Sequence, residues 1–411
     1  MVQARSVAVV GGGLIGISCA LSLSREGHRV TVFEEGKVGH GCSWGNGAQY
    51  NAGTSLPMSY PGVTWRALRW LADKNGPIHF AARELPRNIG WLLRFIQTGH
   101  PKRWEKTYTA LNALNAPCAE LFKDLLGDAE WVKVFRPSGA LHVYRDSTPG
   151  KLDDQIERLR MSHGAAFQEV SAEDIRELEP NLSKDYQRGI FFPGSGYVDA
   201  PVTLVERLEA RAASFDTKVQ HARVLSIEPG SEAVTLHTTS GPHRCDIVVI
   251  AAGIASRDLA RSLDVSLSLT SERGYHVALS DVAGAISRPV TDTGSAIVAT
   301  PLSEELRVVG IAEFDRPDAP FRDSQTDKLL VAARRMLPDL QVSTVRRWMG
   351  IRPSTPDSLP VIGPHPKNPA ILFATGHGHL GISGAPMTAA LISDIVAGRR
   401  PRIPLTPYGV R

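Results

Sequence analysis

Gly11, Gly13 and Gly16 stand in the pattern G-x-G-x-x-G, directly after the β-branched run SVAVV. Glycines at that spacing serve a phosphate. The first permits a tight turn, the second lets the backbone close on a pyrophosphate, and the third lets a helix pack against its strand. Leu14, Ile17 and Leu21 then recur at helical spacing, so the N–H groups around Gly13, Leu14 and Ile15 would aim at an anion with the positive end of a helix dipole behind them. Glu34 and Glu35 close the next strand, RVTVFEE. An acid there accepts from ribose hydroxyls and disfavours a 2′-phosphate, which argues against NADP.

Two later segments could serve the same ligand. CDIVVIAAGIAS ends a buried strand on Ala251, Ala252 and Gly253, small residues that admit either a ligand or merely close packing. ILFATGHGHLGISGAP repeats the order strand, turn, helix, and the N–H groups of its turn could meet another electron-rich part of a cofactor. His377 and His379 lie in that turn without a cysteine or carboxylate nearby, so no metal site is indicated. Pro386 is placed in the first turn of the following helix and Gly398 at its end.

These residues need elements to hold them. The first 35 form a strand–helix–strand unit, and the polar loop SWGNGAQYN follows it. PSGALHVYRD and GIFFPGSGYVDA read as strands, the latter leading into a helix over 201–213. Ser171 caps a short helix through SAEDIRELEP, and TKVQHARVLSIEP, AVTLHTT and HRCDIVVIAAG give further strands. Trp65, Trp70, Trp91 and Trp104 sit among basic residues in amphipathic stretches between 57 and 104. Core packing explains such aromatics, and a face laid on a membrane is the alternative.

Length and charge bound the rest. A chain of 411 residues allows two or three domains. Its 46 basic and 42 acidic side chains argue against a broad nucleic-acid face. Four scattered cysteines, none in CxxC spacing, point to a reduced, cytoplasmic protein with no zinc knuckle. Val7 to Leu23 carries no charge and approaches the length of a spanning helix, but the run Gly11 to Gly13 favours strand, turn and buried helix.

GGGLIGISCALSL, VTVFEE, SWGNGAQ, GYVDAP, DIVVIAAG, WMGIRPSTPDSLPVIG and ATGHGHLGIS, in this order, resemble the FAD-dependent D-amino acid oxidase superfamily. Within it the likeness is to bacterial D-amino acid dehydrogenases, including those acting on cyclic substrates such as hydroxy-D-proline. The resemblance implies an α/β fold: a Rossmann-type FAD-binding domain interleaved with a mixed-sheet α+β substrate domain, as in the D-amino acid oxidase and glutathione reductase-like folds. The FAD-binding domain would comprise 1–62, 197–262 and 346–411, and the substrate domain 63–196 and 263–345. Besides the glycines, Leu14, Ile15 and the acids, it implies that Ser43, Asn46, Gly47 and Gln49 line the flavin and that Val224 meets the adenine. Ala252 and Gly253 would border the cofactor, and Gly376, Gly378, His379, Leu380, Gly381 and Ile382 would face the pyrimidine end of its ring.

For the substrate, the resemblance implies that Arg352 grips a carboxylate, with a salt bridge to Asp357 as the alternative, while Tyr275 and His379 are further pocket contacts. Gly350 stands near the position where sarcosine oxidases carry a flavin-linking cysteine, so noncovalent FAD is expected. The implied reaction is hydride transfer from Cα of a D-amino acid to flavin N5, followed by hydrolysis of the imine. Electrons would pass to a quinone or another carrier. An oxygen-using amine oxidase of the glycine or sarcosine type, and a non-catalytic flavoprotein subunit, are the alternatives. Contact with the inner face of the cell membrane is expected, if anywhere, through 63–100.

Overall fold

The computed structural model describes residues 3–52, 55–63, 76–282 and 284–411. Trp65 and Trp70 lie outside the described residues. Two large sheets organise the chain. The first has six strands, ordered Lys218–His221, Arg29–Glu34, Ser6–Val10, Ile247–Ile250, Asn368–Thr375 and Val361–His365. All neighbours in it run parallel except the last pair.

Side-chain alternation explains why both faces of this sheet are covered. Val7, Val9, Val30, Val32, Val249 and Leu372 point to one side, where helices Leu14–Arg25, Pro201–Ala213 and Gly381–Val396 pack. Ala8, Val10, Phe33, Val248, Ile250 and Phe373 point to the other, against a three-stranded sheet that runs from Val224 to Cys245. The β-branched first run and the glycine turn thus fold as expected, with helix Leu14–Arg25 closing at Glu26 and Gly27 adopting φ +86°.

The second sheet is mixed. Its path is Thr344–Ser354, Thr270–Ser280, Leu306–Phe314, Ile297–Pro301, Val290–Asp292, Ala140–Tyr144, Arg188–Phe192 and Gln168–Ser171, and Ile78–Phe80 adds beside Leu306–Phe314. Helix Asp323–Met336 covers the face bearing Tyr275, Val277 and Val308.

Three particulars depart from the sequence expectations. Strand Thr344–Ser354 crosses the expected boundary at 346 and pairs along its whole length with Thr270–Ser280, so Arg352 belongs to the second sheet. Leu111, Leu114 and Phe122, from the stretch assigned to the substrate domain, pack instead into the core under helix Gly381–Val396. That helix starts at Gly381, which puts Pro386 inside it rather than in its first turn.

Candidate active site

A cavity of about 1090 Å³ lies where the first sheet's carboxyl ends meet the second sheet. It is lined by Gly11, Gly13, Leu14, Ile15, Glu34, Glu35, Ser43, Asn46, Gly47 and Gln49. Val224, Ala252, Gly253, Gly376, Gly378, His379, Gly381, Ile382, Tyr275 and Arg352 line it as well. Gly16 and Leu380 do not. Gly16 lies behind the turn, where a Cβ would collide with the Gly11 carbonyl. Leu380 turns into the core, its N–H bonded to the His377 carbonyl at 2.9 Å.

At one end the cavity floor is backbone. Gly11 has φ +106°, and the space of its missing side chain is filled by the carbonyl of Ala251. Gly13 precedes helix Leu14–Arg25 without a side-chain cap, and the Ser43 hydroxyl accepts from the Leu14 N–H at 3.0 Å. Glu34 is braced by the N–H groups of Gly12 at 2.7 Å and Gly36 at 2.9 Å. Glu35 turns outward to pair with Arg223 at 3.5 Å. Asn46 shapes the neighbouring loop, donating to the Ser43 carbonyl and accepting from Ala48, whose φ is +60°. The Gln49 amide nitrogen is buried with no partner among the described residues. A side-chain-free cradle at a helix N-terminus, a ribose-level acid and an orphaned amide donor together fit FAD.

The glycine–histidine turn forms another wall. Gly376 and Gly378 have φ of +83° and +53°. The Gly378 N–H is taken by the Pro353 carbonyl, which leaves the N–H groups of Gly381 and Ile382, at the start of the helix, without partners among the described residues. Those donors at the helix start can face negative charge. Opposite, the indole of Trp348 covers Gly45 and Gly350, where a Cβ would overlap its ring. It stacks on His276 at 5.0 Å, and the His276 ring meets the Gly45 carbonyl at 2.9 Å. Burial pushes His276 down to about 4, with Arg307 adding to the effect, so Nδ1 donates from a neutral ring.

Arg352 and its surroundings form the remaining end. Strand register sets Glu272 directly across from Arg352 and Gly274 across from Gly350. The guanidinium lies on Gly274, where any Cβ would overlap it. Its Nη1 pairs with Glu272 Oε1 at 2.6 Å, and the second Glu272 oxygen accepts the Ser354 hydroxyl at 2.6 Å. Nε and Nη2 have no partner among the described residues. The salt bridge considered with Asp357 does not form. Asp357 pairs with Arg411 at 2.7 Å.

His379 is exposed to the cavity it lines, and desolvation by the surrounding walls pushes its imidazole below the usual range against the pull of Glu272. His377 points elsewhere, meeting the Thr388 hydroxyl at 2.8 Å. Burial holds the Cys42 thiol up at about 11 despite Arg352, which keeps it protonated and inert. Tyr275 touches the cavity, but strand alternation sends its hydroxyl to the far face of the sheet, where it donates to the buried carboxylate of Glu313. Arg273 and Arg322 pair with the same carboxylate at 3.1 and 2.6 Å. The Tyr275 hydroxyl is therefore committed and not free for a substrate.

Glu272, Gly274 and Trp348 went unnoticed in the sequence. Trp348 opens the segment WMGIRPSTPDSLPVIG without any role attaching to it, and only the pairing of two strands about 80 residues apart brings Glu272 to Arg352.

Comparison with known proteins agrees with this geometry. The family model DAO, FAD dependent oxidoreductase, matches residues 6–395. A D-amino-acid oxidase of Bradyrhizobium diazoefficiens is 30% identical, covering 99% of both chains. A D-amino acid dehydrogenase of Dechloromonas aromatica is 29% identical over 96% of this chain and 97% of its own. Among solved structures, glycine oxidase from Geobacillus kaustophilus superposes with a TM-score of 0.76 at 24% identity, covering 100% of this chain and 99% of that one. That likeness shows the fold alone.

Proposed function

The chain belongs to the DAO family of FAD-dependent oxidoreductases, and we propose that it oxidises D-amino acids, cyclic ones such as D-proline included, with Arg352 as the anchor for the substrate carboxylate. It is an FAD enzyme acting on amino acids. The observation that carries the finer reading is the state of Arg352. One guanidinium nitrogen is held by Glu272, while the Nε–Nη2 edge keeps the two parallel donors that match a carboxylate. Bound FAD supplies the acceptor for the hydride of Cα. The protein's share is orientation. Gly274 gives the guanidinium a flat seat, and Trp348 and Phe95 line the cavity, Phe95 backed by the stacked indole of Trp91. No cysteine is poised for a flavin link at Met349 and Gly350, which supports noncovalent binding.

Anaerobic mixing with a panel of D-, L- and cyclic amino acids tests this directly. D-enantiomers should bleach the flavin absorbance. Bleaching by L-enantiomers alone would sink the stereochemical assignment, and rapid peroxide formation on admitting air would replace the quinone by oxygen.

A quinone acceptor is supported by helix Leu85–Thr98. Leu85, Ile89, Leu93 and Ile96 fall on one face and are 49, 59, 56 and 47% exposed. Arg87 and Arg94 lie on the same helix, and Lys102, Arg103 and Lys106 follow on helix Pro101–Asn115, against Glu84 and Glu105, while Arg83 is taken up by Asp315 at 2.9 Å. An aliphatic face rimmed by cations suits an anionic bilayer. Trp91 and Trp104 are buried, so the membrane face is aliphatic rather than aromatic. Among the described residues no helix is long and apolar enough to cross a membrane, so the contact would be peripheral. Vesicles containing phosphatidylglycerol should sediment the protein. Ile89→Glu with Leu93→Glu should weaken that binding by about tenfold or more, while activity with a soluble dye persists. Equal sedimentation of the variant would remove the contact.

A further inference from the structure

We propose that Glu272 determines which charge the substrate end accepts: paired with Arg352, it selects a zwitterion and rejects a plain carboxylate. This rests on the reading of Arg352 as the carboxylate anchor.

Glu272 is a buried acid that the anchor alone does not need. Glu272 lines the cavity, yet its side chain is only 1% exposed. Burying a carboxylate is costly unless the ion is paired and its oxygens are bonded. Both conditions are met, by Arg352 at 2.6 Å and by the Ser354 hydroxyl at 2.6 Å. Ser354 is itself fixed, since its carbonyl accepts from the Trp91 indole at 3.1 Å and it bridges to His377. Arg352 cannot swing away either, because it lies on Gly274 and its Nη1 is occupied. The ion pair is therefore a fixed part of the pocket.

Its electrostatic consequence follows from counting charges. Arg352 and Glu272 cancel. Among the described residues, the other ionisable groups lining this end include His379, shifted toward its neutral form, and the Cys42 thiol, shifted toward its protonated form. A plain carboxylate docking on Nε and Nη2 would thus add an uncompensated negative charge beside the buried carboxylate of Glu272. A zwitterionic amino acid carries its own compensating ammonium on Cα. The preference also gives the reaction a direction. Once the amine has been lost as ammonia through hydrolysis of the imine, the remaining 2-oxo acid is the kind of anion this end repels.

The test uses the FAD-loaded enzyme and two matched ligands. 2-Aminoisobutyrate is a zwitterion without a Cα hydrogen, so it binds without turnover, and isobutyrate is the same acid lacking the ammonium. Perturbation of the flavin absorbance reads each dissociation constant. Wild type should bind aminoisobutyrate roughly tenfold or more tighter than isobutyrate. Glu272→Gln should bring the two within about threefold by tightening isobutyrate, while Glu272→Asp keeps the preference. Glu272→Ser serves as a second neutral variant if Glu272→Gln does not retain FAD. Equal binding of the two acids by wild type, or a preference unchanged in the neutral variants, would overturn the role of Glu272. Equal weakening of both acids in Glu272→Gln would overturn it too, leaving the residue only a support for the arginine. If wild type binds neither acid, the anchor reading falls and this one with it. Equal binding that Arg352→Ala abolishes keeps the anchor and removes only the selection.

Discussion

Arg352→Ala should raise KM for a D-amino acid by roughly 10²- to 10³-fold, with a much smaller change in kcat and with FAD retained. Truncating one partner of a buried, hydrogen-bonded charge pair costs about 3–5 kcal/mol, and each 1.4 kcal/mol is worth about a factor of ten. The loss falls on KM because the carboxylate contact is made equally in the ground state and the transition state. The cofactor should stay because Arg352 lies on the second sheet, away from the glycine cradle. The substitution also strands Glu272, whose carboxylate is 1% exposed, so some of the damage will appear as a lower Tm. Arg352→Met combined with Glu272→Met separates the two effects. It removes both charges, should recover most of the stability, and should leave KM high. Dye-linked kinetics and a thermal melt on the three proteins decide the matter, and an unchanged KM in Arg352→Ala would end the anchor assignment.

The second large effect belongs to Gly16. A Cβ at that position would overlap the carbonyl oxygen of Gly11; the Cβ is fixed by its bond to Cα and the oxygen is backbone, so neither can rotate away. Gly16→Ala must therefore push helix Leu14–Arg25 off strand Ser6–Val10 and pull the N–H groups of its first turn out of line. Purified Gly16→Ala should carry about a tenth or less of the wild-type flavin, with a clear loss of stability. Gly13→Ala makes the useful contrast. Its Cβ would lie 3.3 Å from the Ser43 hydroxyl, a crowding that a small shift relieves, so the fold should survive and only FAD affinity should fall. Flavin absorbance per protein and circular dichroism separate the two. A Gly16→Ala enzyme with full flavin would contradict the close helix–strand approach.

How much of this could be read from the sequence depended on whether a feature is local. The strand–helix–strand unit was legible because its turn, helix period and terminal acid all fall within 35 residues. The second sheet was not, because its order is set by pairings between distant segments, such as Leu141 beside Val290 and Glu272 beside Arg352. Tyr275 was misread for the same reason. Alternation shows that Glu272 and Tyr275 face opposite ways, but only the assembled sheet says which face holds the cavity. At Pro386 a local rule misled, since proline favours a first turn but does not require one, and Leu380 gives no side-chain capping signal for the true start.

Helix Leu85–Thr98 gives its two sides to different tasks. Phe95 lines the cavity with Trp91 stacked behind it, and the indole of Trp91 donates to the carbonyl of Ser354. Leu85, Ile89, Leu93 and Ile96 face outward a few ångströms away. In genetic terms, neighbouring codons in this stretch should fall into different complementation classes. Inner-face alleles would behave as catalytic defects wherever the protein resides. On the proposed membrane contact, outer-face alleles would make an active enzyme in the wrong place, curable by a fused membrane anchor.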